Sequence, residues 1–199
     1  MVDNTLLSKR QLILRAAAEI FSSKGYHSAK IEDIAQQAGV GKGTVYEYFQ
    51  SKDQLFRDTL KEGANAIAQI IQEHIDRETT TRGKLIAFTR KNIEMGRRYR
   101  VLSKITMMVT SIMDDSFHDW LMEMHKAWLA AIEKIIREGV ETGQIKPIDI
   151  NCFAHVFSGG IGIIASPLVE VDINPENEEH MAAEIVDYFL DGVSCHIIR

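Results

Sequence analysis

The sequence predicts an all-α fold, and three observations predict it. Apolar residues recur at helical spacing along nearly the whole chain, and glycines, prolines and short polar residues fall between these runs where helices start and stop. No stretch of useful length alternates apolar with polar residues as a half-buried strand would, and no internal repeat is present.

The elements follow in order. Residues 9 to 23 carry Leu12, Ile13, Ala16, Ala17, Ile20 and Phe21 at helical spacing, and Gly25 stands where a left-handed C-cap is expected. Ser28 is placed to cap a short helix over 29 to 37, with Ile31, Ile34 and Ala35 inside, and Gly39 stops it. A second short helix, about 42 to 48, follows a tight turn. Ser51 and Gln54 have capping-box spacing, opening a long helix through Leu55, Phe56, Leu60, Ala64, Ile67, Ile71 and Ile75. After the polar loop "DRETTTRGK", amphipathic segments are expected near 83 to 97, 101 to 112 and 116 to 141. The last is striped by Phe117, Trp120, Leu121, Met124, Trp128, Ile132, Ile135, Ile136 and Val140 and is ended by Gly143 and Pro147. Asp149 suits an N-cap for a helix to about Val169. Asn174, Pro175 and Glu176 supply cap, first-turn proline and acid for a final helix striped by Met181, Ile185, Phe189, Val193 and Ile197.

Composition narrows the class. The chain has 199 residues, 45% of them hydrophobic and 26% charged, which is ordinary for a water-soluble globular protein. Cys152 and Cys195 are too few for a disulfide framework and read as buried thiols in a reducing cytoplasm. No basic n-region with a following apolar segment opens the chain. The uncharged stretch from Ile150 to Val169 is about as long as a membrane span. It carries Asn151, His155, Ser158, Gly159, Gly160, Gly162, Ser166 and Pro167, which makes it a buried helix rather than a span, so no membrane partner is expected.

Two short helices joined by a tight, glycine-containing turn are a helix-turn-helix, whose second helix lies in the DNA major groove. Gly41 and Gly43 lower helix propensity, which makes sense where backbone must approach a duplex closely. Lys42 can reach a guanine edge or a phosphate, and Thr44, Tyr46 and Tyr48 offer hydroxyls. Val45 and Phe49, four apart, point to the core. Lys52 sits where a phosphate could meet the amides opening the long helix.

The stretch "IEDIAQQAGVGKGTVYEYFQSKDQLF", preceded by "AAAEIFSSKGYHSAK", resembles the N-terminal DNA-binding domain of TetR-type bacterial transcriptional regulators over about residues 9 to 60. The resemblance implies that Ser28 caps the second helix and touches phosphate beside Lys30. It implies that Lys42, Gly43 and Thr44 face bases, that Tyr46 and Lys52 hold phosphates, and that Tyr48 lies near the backbone. Glu47 departs from the family's usual aromatic or histidine; it either accepts a cytosine amino hydrogen or points aside. The domains expected are a helix-turn-helix DNA-binding domain over residues 1 to 50 and a helical ligand-binding and dimerisation domain over 51 to 199, linked by the helix from Ser51.

Charge is distributed unevenly. Residues 1 to 60 hold 8 bases and 7 acids, while residues 61 to 199 hold 15 bases and 21 acids. The DNA-facing half is no polycation, so modest nonspecific affinity and few phosphate contacts per subunit are expected. Two reading heads held by symmetry would address half-sites one or more helical turns apart. Ser158, Gly159, Gly160 and Gly162 would let another helix approach closely, and the stripe with Ile185, Phe189 and Val193 would complete an intersubunit four-helix bundle, as the resemblance implies.

The second domain is rich in methionine and large aromatics, which suit an adaptable apolar pocket as well as a plain core. Phe88, Met95, Met107, Met108, Trp120, Met124, Trp128 and Phe157 are the expected pocket residues, for a small hydrophobic or amphipathic inducer of the kind the family binds. His118, His125 and His155 are scattered without ligand spacing and read as hydrogen-bonded histidines, and no metal or cofactor is expected. No phosphate loop, nucleophile elbow or HExxH motif is present, so an enzyme is not the expected class. The function expected is a repressor released from a palindromic operator by its inducer, with the long helix transmitting ligand binding to the spacing of the reading heads. The alternative is a DNA- or partner-binding factor of the same fold without an inducer.

Overall fold

The structure, a computed structural model, describes residues 8–99, 114–165 and 176–191. Among them are eight helices and no strand. These are α1 (Lys9–Ser28), α2 (Ile31–Ala38), α3 (Lys42–Tyr48), α4 (Lys52–Ile75), α5 (Thr81–Arg98), α6 (Asp115–Glu141), α7 (Ile150–Ile164) and α8 (Glu178–Leu190). None of the described helices is long and apolar enough to cross a membrane. The described residues fall into two compact units, one holding those up to Ile67 together with 114–118, the other holding 68–99, 119–165 and 176–191.

The first unit is built on one apolar cluster. Ile13, Leu14, Ala16, Ala17 and Phe21 of α1 meet Ile31, Ile34 and Ala35 of α2, Val45 and Phe49 at α3, and Leu55 and Phe56 of α4. Ser8 opens α1 with a full capping box: its hydroxyl accepts from Gln11 N at 3.3 Å while Gln11 Oε1 accepts from Ser8 N at 2.9 Å. Gly25 breaks α1 at φ 75°, ψ 164°, and the chain then makes one further helical turn to Ser28. That extra turn overturns the expected cap. Ser28 belongs to the end of α1, and the N-cap of α2 is Lys30, which makes no side-chain cap bond.

Gly39 ends α2 in the left-handed region at φ 69°, ψ 30°, so that Gly39 N donates to Gln36 O and Val40 N to Ala35 O. A Cβ at Gly39 would meet no atom within 4 Å, so the demand there is conformational, not steric. Gly39→Ala is therefore expected to destabilise the first unit by about 1–2 kcal/mol. Gly41→Ala, at φ −72° and equally open, should leave the thermal midpoint nearly unchanged. Equal midpoints for the two variants would refute this account of the turn.

The box expected at Ser51 forms by halves. Ser51 Oγ accepts from Gln54 N at 3.1 Å, but Gln54 Oε1 accepts from the amide of Gln50 at 2.8 Å, one residue earlier than the motif predicts. α3 has the bounds expected of it.

In the second unit α5 packs on α8 and on α7. Gly96 permits part of this, since a Cβ there would stand 2.6 Å from the carbonyl oxygen of Ala165. Leu85, Phe88 and Ile93 of α5, Ile132, Ile135 and Ile136 of α6, Ala154, Phe157 and Ile161 of α7, and Ala182 and Val186 of α8 are buried. Phe153, Phe157 and Phe189 form an aromatic cluster with centroids 5.0–6.0 Å apart. Arg82 holds Asp187 through two bonds of 2.7 and 2.8 Å, and Arg97 reaches the buried Glu178 at 2.6 Å, so α5 and α8 are also joined by charge.

Asp149 caps α7 by accepting from Cys152 N at 2.9 Å, as expected. Cys152 itself is exposed, against the expectation of a buried thiol: it lies off the buried face made by Ala154, Phe157, Ser158 and Ile161. The last helix starts at Glu178 with Asn177 as its cap residue, three positions later than the cap expected at Asn174. The segment 101–112, Met107, Met108, Met113, residues 166–169, Asn174, Pro175, Val193, Cys195 and Ile197 lie outside the described residues.

Candidate nucleic-acid interface

α3 is only seven residues long and has one buried side. Val45 is fully buried and Phe49 nearly so, while Lys42, Gly43, Tyr46, Glu47 and Tyr48 are exposed and Thr44 is half-buried. Tyr46 and Tyr48, 46% and 42% exposed, present their rings to solvent from one turn. Gly41 and Gly43 have ordinary backbone angles, and a Cβ on either would meet nothing within 4 Å. No contact among the described residues therefore explains why these positions are glycine.

The cations around α3 are already engaged. Lys42 Nζ lies 2.5 Å from Glu32 Oε1 in the first turn of α2 and 5.9 Å from the centroid of the Tyr46 ring. This contact holds the Glu32 carboxyl below the usual carboxylate range and raises the Lys42 ammonium above its own. Asp33, the next residue, holds Lys24 at 2.7 Å. Arg10 pairs with Asp58 at 2.8 Å and lies over the Phe49 ring at 5.3 Å.

Lys52 donates to the carbonyl oxygen of His27 at 3.2 Å and sits 4.6 Å over the Tyr26 ring, and partial burial pulls its ammonium below the usual lysine range. The Tyr26 hydroxyl donates to Asp53 Oδ1. Burial first, then that bond to a carboxylate, push the phenol above its ordinary range. Tyr26 also meets the rings of Phe21 and Phe56 at 6.0 and 5.1 Å. The kink at Gly25 is thus clipped to the start of α4, and Lys52 is part of the clip. Ser28 and Lys30 are exposed at the α1–α2 connection.

The second unit has an open cleft of about 490 Å³. From α6 come His125, Trp128 and Leu129, and from α7 come His155, Ser158, Gly159, Gly162 and Ile163. Of the residues expected to line a pocket, Trp128 does so. Phe88, Met95 and Phe157 are buried, Trp120 is half-buried and Met124 is exposed. Of those expected at a dimer contact, Ser158, Gly159 and Gly162 line this cleft, while Ile185 and Phe189 are half-buried.

His125, Leu129, His155 and Ile163 were not among the expected lining residues. A signal existed: 125, 128 and 129 share one helical face, as do 155, 158, 159 and 162. His155 Nδ1 is 2.8 Å from the carbonyl oxygen of Asn151, a contact in which Nδ1 carries the proton and donates. Among the described residues, Trp128 Nε1 and Thr89 Oγ1 are buried and find no hydrogen-bond partner. Among the described residues, no three His, Cys, Asp or Glu side chains are grouped to hold a metal ion.

Residues 13–59, which span α2, α3 and most of α1, match the family described as bacterial regulatory proteins, tetR family. A fatty acid metabolism regulator protein of Bacillus subtilis is 27% identical over 154 residues, which are 77% of this chain and 79% of the relative. The crystal structure of the transcriptional regulator FadR from Bacillus subtilis in complex with stearoyl-CoA aligns at a TM-score of 0.72 and 23% identity, covering 92% of this chain and 99% of that one. That of AibR in complex with isovaleryl coenzyme A and operator DNA aligns at 0.65 and 19% identity, covering 92% and 98%. With a helix-turn-helix whose reading helix is exposed on a buried frame, residues 13–59 are a DNA-binding domain of the bacterial regulatory proteins of the tetR family, and the chain as a whole is similar to regulators of that family.

Proposed function

We propose that the chain is a cytoplasmic, homodimeric repressor that reads a palindromic operator with α3 and is released by an amphipathic ligand carrying an apolar chain. The observation that carries the DNA half is the exposed row of Lys42, Tyr46, Glu47 and Tyr48 on a helix anchored by Val45 and Phe49. In this reading Lys42, Gly43 and Thr44 face bases, Tyr46 holds a phosphate and Ser28 and Lys30 flank it. Lys52 reaches a phosphate by leaving the His27 carbonyl.

The ligand half rests on the cleft. Trp128, Leu129 and Ile163 give it apolar walls, and His125 and His155 give it hydrogen-bonding positions for a polar end. The complexes of FadR with stearoyl-CoA and of AibR with isovaleryl coenzyme A make acyl thioesters the class to test first. The exposed Val156 and Tyr188 on α7 and α8 support the dimer contact.

The experiment begins with selecting duplexes from a random library with the purified protein near physiological salt. A palindrome of fixed half-site spacing is expected. Stearoyl-CoA and isovaleryl-CoA are then titrated into the complex. At least one should lower operator affinity about five- to 150-fold, with operator lowering the affinity for that ligand by the same factor. Operator affinity unchanged at saturation with both would sink the acyl-thioester reading, and failure to enrich any duplex from ligand-stripped protein would sink the DNA reading.

A further inference from the structure

We propose that Glu32 is the internal counterion of the reading helix: it holds Lys42 in the free protein and competes with DNA for it, and so sets operator affinity. The inference rests on the reading above, that α3 enters the major groove.

Three features support it. Lys42 is the first residue of the reading helix, and its ammonium is 2.5 Å from a carboxylate oxygen of a different helix. Both side chains are about half exposed, at 52% and 57%, so no surrounding packing locks the pair and a competing acceptor can reach it. The same ammonium lies over the Tyr46 ring, so Glu32 and Tyr46 together fix where Lys42 points before DNA arrives.

The chemistry of competition is simple. A phosphate oxygen or a guanine O6/N7 edge is an acceptor for the same donor as Glu32. Lys42 must leave Glu32 to reach that acceptor, and the ion pair is then lost, so Glu32 opposes binding through Lys42. The adjacent Asp33 serves as the internal comparison, because its partner is Lys24 and not Lys42. The lowered Glu32 carboxyl and raised Lys42 ammonium mean that the pair is charged throughout the neutral range.

The test is a double-mutant cycle on a duplex enriched by the protein itself, read by fluorescence anisotropy near physiological salt, with thermal melts to establish that each variant is folded. Glu32→Gln should tighten binding about two- to fivefold per half-site, the range of an exposed ion pair. Glu32→Asp, which keeps the charge at the helix start but withdraws it by one methylene, should tighten binding as well. In a Lys42→Ala background both substitutions should do nothing, whereas the effect of Asp33→Asn should be the same with or without Lys42. An equal effect of Glu32→Gln with and without Lys42 would mean general repulsion between acid and phosphate and overturn the inference. Unchanged or weaker binding by Glu32→Gln would overturn it too. If Lys42→Ala leaves affinity unchanged, the docking of α3 fails and the inference falls with it; if Lys42→Ala weakens binding and Glu32→Gln does not tighten it, only the inference fails.

Discussion

Replacing Lys42 and Tyr46 together by alanine will lower affinity for the enriched duplex at least ~100-fold, with no loss of fold. A good side-chain contact to a base edge contributes about 1–3 kcal/mol, and a symmetric dimer uses each contact twice. Even the lower end of that range, for Lys42 on two half-sites, amounts to about 2 kcal/mol, or about 30-fold, and loss of the phosphate held by Tyr46 on each half-site adds the rest. The helix survives because its anchors are elsewhere: Val45 and Phe49 are buried, while Lys42 and Tyr46 are exposed. Thermal stability should therefore stay within about 0.5 kcal/mol of the parent. The slope of log affinity against log salt should fall by about one for each phosphate contact removed. Little background binding will obscure the effect, since residues 1 to 60 carry 8 bases against 7 acids and three of those bases are already paired with Asp58, Asp33 and Glu32. Near-parental affinity in the double variant would remove α3 from the interface.

The first unit was largely legible because its signals are local. Gly39 needs a left-handed backbone, Val45 and Phe49 repeat at one helical turn, and the motif around them leaves one register for α3. Ser28 misled for an equally local reason. It precedes an apolar helix at cap spacing, but the positive φ of Gly25 lets the chain make a further turn that absorbs Ser28 into α1. The counterions were invisible: nothing in the sequence says that Glu32 faces Lys42 and Asp33 faces Lys24, since that depends on how the Gly39 turn sets α2 against α3.

The second unit was less legible. Phe88, Met95 and Phe157 have the side chains of a pocket wall and of a core, and composition does not separate the two. The structure does, because one side of α7 carries Ala154, Phe157 and Ile161 inward while His155, Gly159 and Gly162 open onto the cleft. The small residues expected to admit a helix of a second subunit, Ser158, Gly159 and Gly162, line this cleft in the single chain.

Phe21→Ala will destabilise the first unit by about 3–5 kcal/mol and abolish DNA binding at physiological temperature although Phe21 is buried away from solvent. The ring is fully buried, meets Phe56 edge-on at 4.9 Å and stacks near Tyr26 at 6.0 Å, so its removal opens a cavity among rigid aromatic neighbours that cannot collapse to fill it. Domains as a whole retain only about 5–15 kcal/mol, so such a loss takes a large share of what a small helical unit has. The damage also reaches function through a stated route. Phe21 supports Tyr26, whose hydroxyl is tied to Asp53 and whose ring lies under Lys52, and this clip fixes the start of α4 beside the reading helix. Because operator binds only the folded unit, adding saturating duplex should raise the depressed thermal midpoint of Phe21→Ala by mass action, as it cannot for a variant that has lost its contacts. The Lys42/Tyr46 variant should melt like the parent and gain nothing from duplex; Phe21→Ala should melt early and be partly rescued. A midpoint for Phe21→Ala equal to that of the parent would show that Phe21 is not the keystone of the cluster that presents α3.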